Sequence, residues 1–509
     1  MGLFRTICAI SGGWGSHGVE RIKRQAFYAN NRGHGSGVFD PKPALTAGEG
    51  RLGVRSGTGR DPVVSGAFFV QAGARGPTGD PPTCGGPDGA PSSSSRKKWD
   101  EVRVTSGSSG ADTGFTALHL VQPTEGGVPR VVADLVAAQA AAGLRVVVGC
   151  PPEGFLAAAA ARAGAEVRPW RATRQPGPAL PGEVRSAARI IDAVRPGVLH
   201  AHSAKAGLAG RLAARGRVPT VFQPHAWSFE AVGGPMAVAA RGWERWAARW
   251  SDRIVCVSEA ERATGVRAGV RATFRVVRNG VDTARFTPSA PRDTAAGDGD
   301  APPPLAGLGR DGLDLDAGPD TEAAPVVVCV GRLCRQKGQD VLLRAWERVA
   351  REVPGARLVL VGDGPGAASL RAAAPPSVLF AGAVADTARW YRAADLVVLP
   401  SRWEGMALSP LEAMACGRPV VLTDVDGSRE SLPPGHAERC LVPAEDPAAL
   451  AAAVAALLRD GPGRAALGRQ AHDHVLSTFD VRLTAAAIAD VYREVANAPH
   501  PERREPIHQ

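Results

Sequence analysis

The amino-acid sequence predicts an α/β protein made of two similar halves, each a parallel, doubly wound sheet flanked by helices. Three observations carry that expectation. Short β-branched runs alternate with longer Ala-rich amphipathic stretches from Phe115 onward, a pattern that signals β–α–β units. The alternation stops across residues 288–325, which are rich in Pro, Gly and Asp, and then resumes. The chain has 509 residues, more than one hydrophobic core usually organises, so two or more domains are expected.

Taken in order, residues 1–112 are rich in Gly, Ser, Pro and Arg and show no sustained period. They read as a disordered tail, or as upstream sequence translated from a wrong start codon. Residues 113–287 form the first α/β domain. Its predicted strands are Ala117–Val121, Arg145–Gly149, Val198–Ala201, Thr220–Gln223, Arg253–Val257 and Phe274–Arg278. Its predicted helices include Val128–Ala142, Glu183–Val194, Ala206–Arg215 and Met236–Trp250. Residues 288–325 carry two basic and eight acidic side chains and read as a flexible acidic linker. Residues 326–478 form the second domain. Its predicted strands are Val326–Val330, Arg357–Val361, Val378–Ala381, Leu396–Pro400, Pro419–Thr423 and Arg439–Val442, with helices such as Gln339–Glu352 and Pro447–Leu458. Residues 479–509 are expected to supply a helix that crosses back to the first domain, and then a tail. Ligands of such sheets bind beyond the carboxyl ends of the strands, so two halves facing one another imply a cleft between them.

Composition removes several classes. No run approaches the ~20 apolar residues of a membrane-spanning helix. No basic segment followed by an apolar core and a small-residue cleavage site opens the chain, so secretion is not expected. Eight cysteines are scattered without a C-x-x-C pair, which argues against a disulfide framework or a zinc site and for a reducing cytoplasm. Met1–Thr6 fits the short myristoylation pattern, which carries little weight in a chain whose arginine bias reads as bacterial. The net charge of +10 calls for an anionic partner. A nucleic acid is not expected, because no recognition module and no interleaved aromatics accompany the charge.

Three short segments could carry chemistry. Gly126-Gly127 follows the first strand and opens the first helix, with Pro129 in its first turn. Paired glycines let a backbone approach a ligand, and the helix start favours a phosphate. This is not the three-glycine dinucleotide fingerprint. The second segment is Gly331–Gly338, directly after Val326–Val330, which holds Arg332 and Lys337. A guanidinium can grip a diphosphate with two parallel bonds, and an ammonium adds a compact charge. Only six of the 60 basic residues are lysines, and after residue 112 only Lys205 and Lys337 remain. A merely solvated cation would have drifted to Arg in this composition, so Lys337 is singled out. The third segment, Ser401–Glu412, places Glu404 in a loop and Glu412 in the following helix. Two such carboxylates can accept from two sets of sugar hydroxyls, and the amides of Met406, Ala407 and Leu408 between them lie near a helix start, where a phosphate can bind.

These segments resemble a retaining glycosyltransferase of the GT-B fold, similar to glycosyltransferase family 4. The resemblance rests on VGRL-x-x-x-KG at Val330–Gly338, VGDGP at Val361–Pro365, ADLVVLPS at Ala394–Ser401, the E-x7-E pair Glu404 and Glu412, and LEAMACGRPVV at Leu411–Val421. In the first half it rests on Gly126-Gly127, HAHSAKAG at His200–Gly207, QPHAWS at Gln223–Ser228 and RNGVD at Arg278–Asp282. It covers roughly residues 115–495. It implies two Rossmann-like domains facing an interdomain cleft, the first for an acceptor and the second for a nucleotide diphosphate sugar, with a UDP-sugar favoured. It implies that Arg332 and Lys337 hold the donor diphosphate, that Glu404 contacts the donor sugar and Glu412 the ribose, that Gly127 approaches the diphosphate, and that His225 meets the sugar. Glu430 matches a position near the nucleotide end. Many relatives carry Phe-Gly where this chain has Met406-Ala407. No cofactor is implied, and because no D-x-D motif lies in the expected place, no metal either.

The implied activity is transfer of a sugar, with retention, to a glycan or lipid-linked acceptor in cell-surface polysaccharide or glycolipid assembly. Lys205 and Ser203 start a helix at the cleft edge and are candidates for an acceptor phosphate. Trp243, Trp246 and Trp250 share a helix with Arg241, Arg245 and Arg249. That helix reads either as core packing or as a contact with an anionic membrane at the inner face of the cell membrane. The competing readings are another GT-B enzyme, such as a sugar-nucleotide epimerase or a phosphorylase, and a nonenzymatic basic nucleic-acid binder.

Overall fold

The computed structural model describes residues 115–288 and 324–498. The expected tail (1–112) and almost all of the acidic linker lie outside the described residues. The first domain runs β1 (Thr116–Val121), α1 (Gly127–Ala141), β2 (Arg145–Cys150), α2 (Phe155–Arg162), β3 (Glu166–Pro169), α3 (Leu180–Val194), β4 (Val198–His202), α4 (Ser203–Ala214), β5 (Thr220–Gln223), α5 (Gly234–Ala247), β6 (Arg253–Cys256), α6 (Glu259–Arg267) and β7 (Phe274–Val276). The second runs β8 (Val326–Val330), α7 (Gln339–Glu352), β9 (Arg357–Val361), α8 (Ala367–Ala373), β10 (Val378–Gly382), α9 (Ala388–Ala393), β11 (Leu396–Leu399), α10 (Leu408–Ala415), β12 (Val420–Thr423), α11 (Ser428–Ser431), α12 (Ala437–Cys440), β13 (Leu441–Val442), α13 (Pro447–Arg459) and α14 (Gly461–Thr478). The helix α15 (Val481–Asn497) follows.

The sheets order as β3-β2-β1-β4-β5-β6-β7 and β10-β9-β8-β11-β12-β13, and the pairs are parallel. Each order reverses direction once, between β1 and β4 in one sheet and between β8 and β11 in the other. Parallel sheets of this kind bind ligands at that reversal. The loops carrying Gly126-Gly127, Ser203, Arg332–Lys337 and Ser401–Glu404 all leave strands that border it.

Both faces of the first sheet are covered, and its central strands β1 and β4 are buried on both sides, with His119, His200 and His202 among their buried residues. Val132, Leu135 and Val136 of α1 pack on one face and Ala187, Ile190 and Ile191 of α3 on the other. The helix α15 returns to this domain: Ile488, Val491 and Tyr492 complete the core beside α1. The crossing is pinned where Val281 and Asp480 bridge in parallel. The second domain has one continuous core, with Trp346, Tyr391, Met414 and Leu450 at its centre. Among the described residues no helix is long and apolar enough to cross a membrane, and the cysteines are unpaired.

Three details differ from expectation. Strand β3 has no apolar run to announce it, because it is a sheet edge with only Cys150-side neighbours to satisfy. Arg439–Val442 is split between the end of the short helix α12 and the two strand residues of β13, since β12 pairs with β13 only at Leu422–Leu441 and Thr423–Val442. The tryptophans of α5 and of the 3-10 turn after it (Ala248–Trp250) do not form one exposed stripe. Trp243 is buried against Leu212 and Ala247, and Trp246 and Trp250 pack edge to face with centroids 4.4 Å apart.

Candidate functional site

The site is built from the β8 and β11 loops. Gly331 N–H donates to Val361 O and Leu333 N–H to Asp363 O, which carries the chain past the strand end into a 3-10 turn at Arg335–Lys337. Gly338 ends that turn at φ 66, and a Cβ there would stand 2.0 Å from Pro400 O. Only glycine lets the two loops touch. Lys337 Nζ then reaches Glu404 Oε1 at 2.6 Å, where Ser401 Oγ also donates at 2.7 Å. Arg402 fastens the same two loops from behind through Asp340 and the Arg335 carbonyl. Arg332 is partly exposed and lies 4.0 Å from Glu125 Oε2 of the facing domain. Next to Glu125, Gly126 and Gly127 have open space where a Cβ would stand.

Glu412 is buried in α10 and accepts from Tyr391 Oη at 2.6 Å. Burial pushes its carboxyl up, against the Tyr391 bond. Met406 is buried and its carbonyl accepts from Asn279 Nδ2 of the first domain at 2.7 Å. Ala407 is the residue before α10 and Leu408 its first residue. The amides named from sequence therefore sit at a helix start.

His225 lies on the facing side, after β5. His225 and Ala226 both hold positive φ, 54 and 89, a strained backbone for side-chain-bearing residues that something must hold. Glu261 holds it: its buried carboxyl accepts from Ala226 N and Val257 N, both at 2.6 Å. Burial raises the Glu261 carboxyl to about 7 against those two bonds. The turn abuts the loop of Glu404, since a Cβ on Gly405 would come 3.0 Å from Ala226 N. His225, Arg332, Lys337, Glu404 and the two glycines thus come from facing loops of the same cleft.

Two expected residues have other work. Glu430 accepts from the N–H groups of Glu259 and Ala260 and from Arg278 Nη2, at 3.0, 2.9 and 3.0 Å. Both its oxygens accept from the start of α6 or the neighbouring guanidinium, so it clasps the two domains together. Lys205 is 3 % exposed and pairs with Glu183 at 2.5 Å, with a further bond to Gln175 O. Its charge is spent inside the domain, which takes an acceptor phosphate off that ammonium. Ser203 begins α4 at φ 68. The arginines in and after α5 are also engaged: Arg245 of α5 donates to Ala268 O, and Arg249, in the 3-10 turn that follows α5, covers the Trp246 ring.

Residues not singled out from sequence complete the site. Glu261 closes an S-x-x-E signature with Ser258, whose Oγ caps α6 at Glu261 N; its sequence signal was there. Asp134 of α1 is raised to about 7, chiefly by burial and then by Asp282 and Glu412. His119, His200 and His202 bring ring nitrogens within 4.8 Å of one another in the interior.

The family model described as Glycosyltransferase Family 4 matches residues 125–285, and that described as Glycosyl transferases group 1 matches residues 324–460. The lipopolysaccharide core biosynthesis mannosyltransferase LpsB of Rhizobium meliloti is 32 % identical over 265 residues, 50 % of this chain and 69 % of that protein. The D-inositol 3-phosphate glycosyltransferase of Xylanimonas cellulosilytica is 34 % identical over 327 residues, 58 % of this chain and 72 % of that protein. The chain is a family 4 glycosyltransferase. The crystal structure of Anabaena HepE with UDP and glucose superposes on 75 % of this glycosyltransferase and all of that chain, at TM-score 0.62 and 24 % identity. The enzyme therefore has the GT-B architecture expected from its sequence.

Proposed function

We propose that this glycosyltransferase moves a sugar, with retention, from a nucleotide diphosphate sugar to a glycan or lipid-linked acceptor in cell-surface polysaccharide or glycolipid assembly. The observation that carries the reading is the Arg332 and Lys337–Glu404 cluster at the end of β8, opposite the open Gly126-Gly127 turn. A cation pair beside paired glycines suits a diphosphate. LpsB and its kin are named as mannosyltransferases of lipopolysaccharide core biosynthesis, and HepE is bound to UDP and glucose. A UDP-sugar is the favoured donor.

In the reaction the diphosphate takes Lys337 from Glu404. Lys337 and Arg332 offset the charge that builds on the departing nucleotide, and Glu404 is released toward the sugar hydroxyls. Glu412 stands at the ribose. The barrier falls through positioning and charge stabilisation, with attack on the face from which the nucleotide leaves. The reading needs no metal ion. Exposed Val232, Met236, Val238 and Trp246 in and before α5 offer an apolar surface for contact with an anionic membrane, where a lipid-linked acceptor would lie.

Lys337→Ala tests the reading. Transfer falls on the order of 10²–10³-fold, while the melting temperature stays near that of the parent protein. Near-normal turnover overturns the assignment. A panel of UDP-, GDP- and ADP-sugars in a thermal-shift assay identifies the donor, because the ligand that binds raises the melting temperature.

A further inference from the structure

A chain of hydrogen bonds runs from the interior of the first domain to the cleft. His119 Nε2 meets Gln139 Oε1 at 2.8 Å, His119 Nδ1 meets His202 Nε2 at 3.0 Å, and His202 Nδ1 meets His225 Nε2 at 3.1 Å. Gln139, His119 and His202 are all 0 % exposed. The parallel pairing of β1 with β4 sets His119 opposite His200, with His202 two residues further along the same face. Burial holds all of these imidazoles below their ordinary range, His119 at about 4 and His225 at about 3. They are neutral at neutral pH.

A neutral imidazole has one N–H and one lone pair. In this chain His119 and His202 each use both. The direction of the whole chain is then set at its inner end. The structure turns Gln139 Oε1, an acceptor, toward His119 and leaves Gln139 Nε2 unpaired; with the amide in that orientation His119 carries its proton on Nε2 and accepts on Nδ1. His202 must donate from Nε2 and accept on Nδ1. His225 must donate from Nε2, which leaves its Nδ1 as a lone pair.

We propose that Gln139, His119 and His202 are positioning residues that fix His225 as its Nε2–H tautomer, so that Nδ1 is a ready acceptor for a hydroxyl of the sugar substrate. The proposal rests on the reading that His225 meets the sugar. The main chain at His225 is already held by Glu261 through Ala226 N, and the His202 bond supplies the second anchor that a ring needs. The choice of tautomer favours a partner that donates over one that accepts, which makes the chain a selector for a free hydroxyl.

The cluster of His119, His200 and His202 could also be read as metal ligands. The hydrogen bonds argue otherwise. They engage both nitrogens of His119 and of His202, and Tyr492 Oη lies 2.8 Å from Nδ1 of His200. A metal would find at most one nitrogen not already engaged in these contacts.

Nitrogen-15 labelling of histidine in the full chain, read by long-range proton–nitrogen correlation, reports which nitrogen of His225 carries the proton. The His225→Ala spectrum assigns the signal. The expected result is Nε2–H in the parent protein and a mixture of tautomers in Gln139→Met. Turnover at saturating donor falls about tenfold in Gln139→Met, as for loss of one aligned neutral hydrogen bond. An Nδ1–H form in the parent protein overturns the proposal without need of any variant. So does an unchanged tautomer in Gln139→Met, or stoichiometric zinc in the purified protein. Full activity in His225→Ala instead removes the reading that the ring meets the sugar, and leaves the tautomer measurement standing, so the two failures are distinguishable.

Discussion

The two domains share a fold and bury different things. The second domain encloses an apolar core, and its buried carboxylates Glu404 and Glu412 sit after β11, in the loop and in α10. The first domain carries charge and imidazole through its interior: the pairs Lys205–Glu183 and Arg211–Glu244, and the histidines of β1 and β4. A charge taken out of water must be matched by partners fixed in place. The first domain has therefore committed its buried charges to each other, while in the second Lys337 pairs with Glu404 at the rim and Arg332 stays partly exposed, 4.0 Å from Glu125. Lys205 and Lys337, equally rare in composition, thus differ in burial rather than in pairing.

Breaking a buried pair in the first domain tests this most severely. Arg211 donates to Glu244 at 2.7 Å and lies over the Phe222 ring, with both side chains almost fully buried. Glu244→Leu leaves the guanidinium unpaired and is expected to cost about 3–5 kcal/mol, most of which the double variant with Arg211→Met restores. Urea unfolding followed by tryptophan fluorescence reads both. A cost under about 1 kcal/mol in the single variant would mean that the pair is not a structural charge.

The pH dependence of stability sharpens the same contrast. His200 is held well below its ordinary range, by burial first and then by His119 and His225. An unfolded chain takes up a proton there below about pH 6.5 and the folded chain does not, so this residue makes stability fall as pH falls. Asp134, Glu230 and Glu261, raised to about 7 by burial, act oppositely: the folded state keeps protons that the unfolded state loses, which adds stability as pH falls from 7 toward the ordinary carboxylate range. The net profile of the parent protein is muted, and the informative quantity is a difference. His200→Gln is expected to change the slope of unfolding free energy between pH 6 and 5 by about 1.4 kcal/mol per unit. An unchanged slope would show that the ring titrates normally in the fold.

The smallest expected effect concerns the contact between the domains. Ser258 caps α6 and donates to Gly405 O across the cleft at 3.1 Å. Ser258→Ala should cost about 1 kcal/mol, seen as a modest fall in melting temperature that bound nucleotide sugar partly reverses. No fall at all would mean that the cap and its cross-domain bond contribute nothing.

The loops after β8 and β11 were legible because their residues are neighbours in sequence. A strand end, a glycine and a cation fall within Val330–Gly338, and Glu404 and Glu412 within one loop and helix. The facing side was legible only in pieces. His119, Gln139, His202 and His225 come from β1, α1, β4 and the loop after β5, so their chain exists only once the sheet has set its register. Lys205 shows the reverse hazard. Its rarity signals a specific role but not whether the partner is a substrate or Glu183. The contacts of Glu430 are hidden for a similar reason, since the helix start that it caps belongs to the other domain. Strand β3 was missed because an edge strand with polar neighbours leaves no apolar run.

The return of α15 has a consequence for how the protein is made. Ile488, Val491 and Tyr492 sit in the interior of the first domain, yet the ribosome reaches them only after the whole second domain. At about 5–20 residues per second, roughly 200 residues of synthesis, or some tens of seconds, separate β7 from this helix. Throughout that interval the groove beside α1 is uncovered, and the nascent first domain is a client for any chaperone that recognises apolar surface. The half translated first is the half completed last.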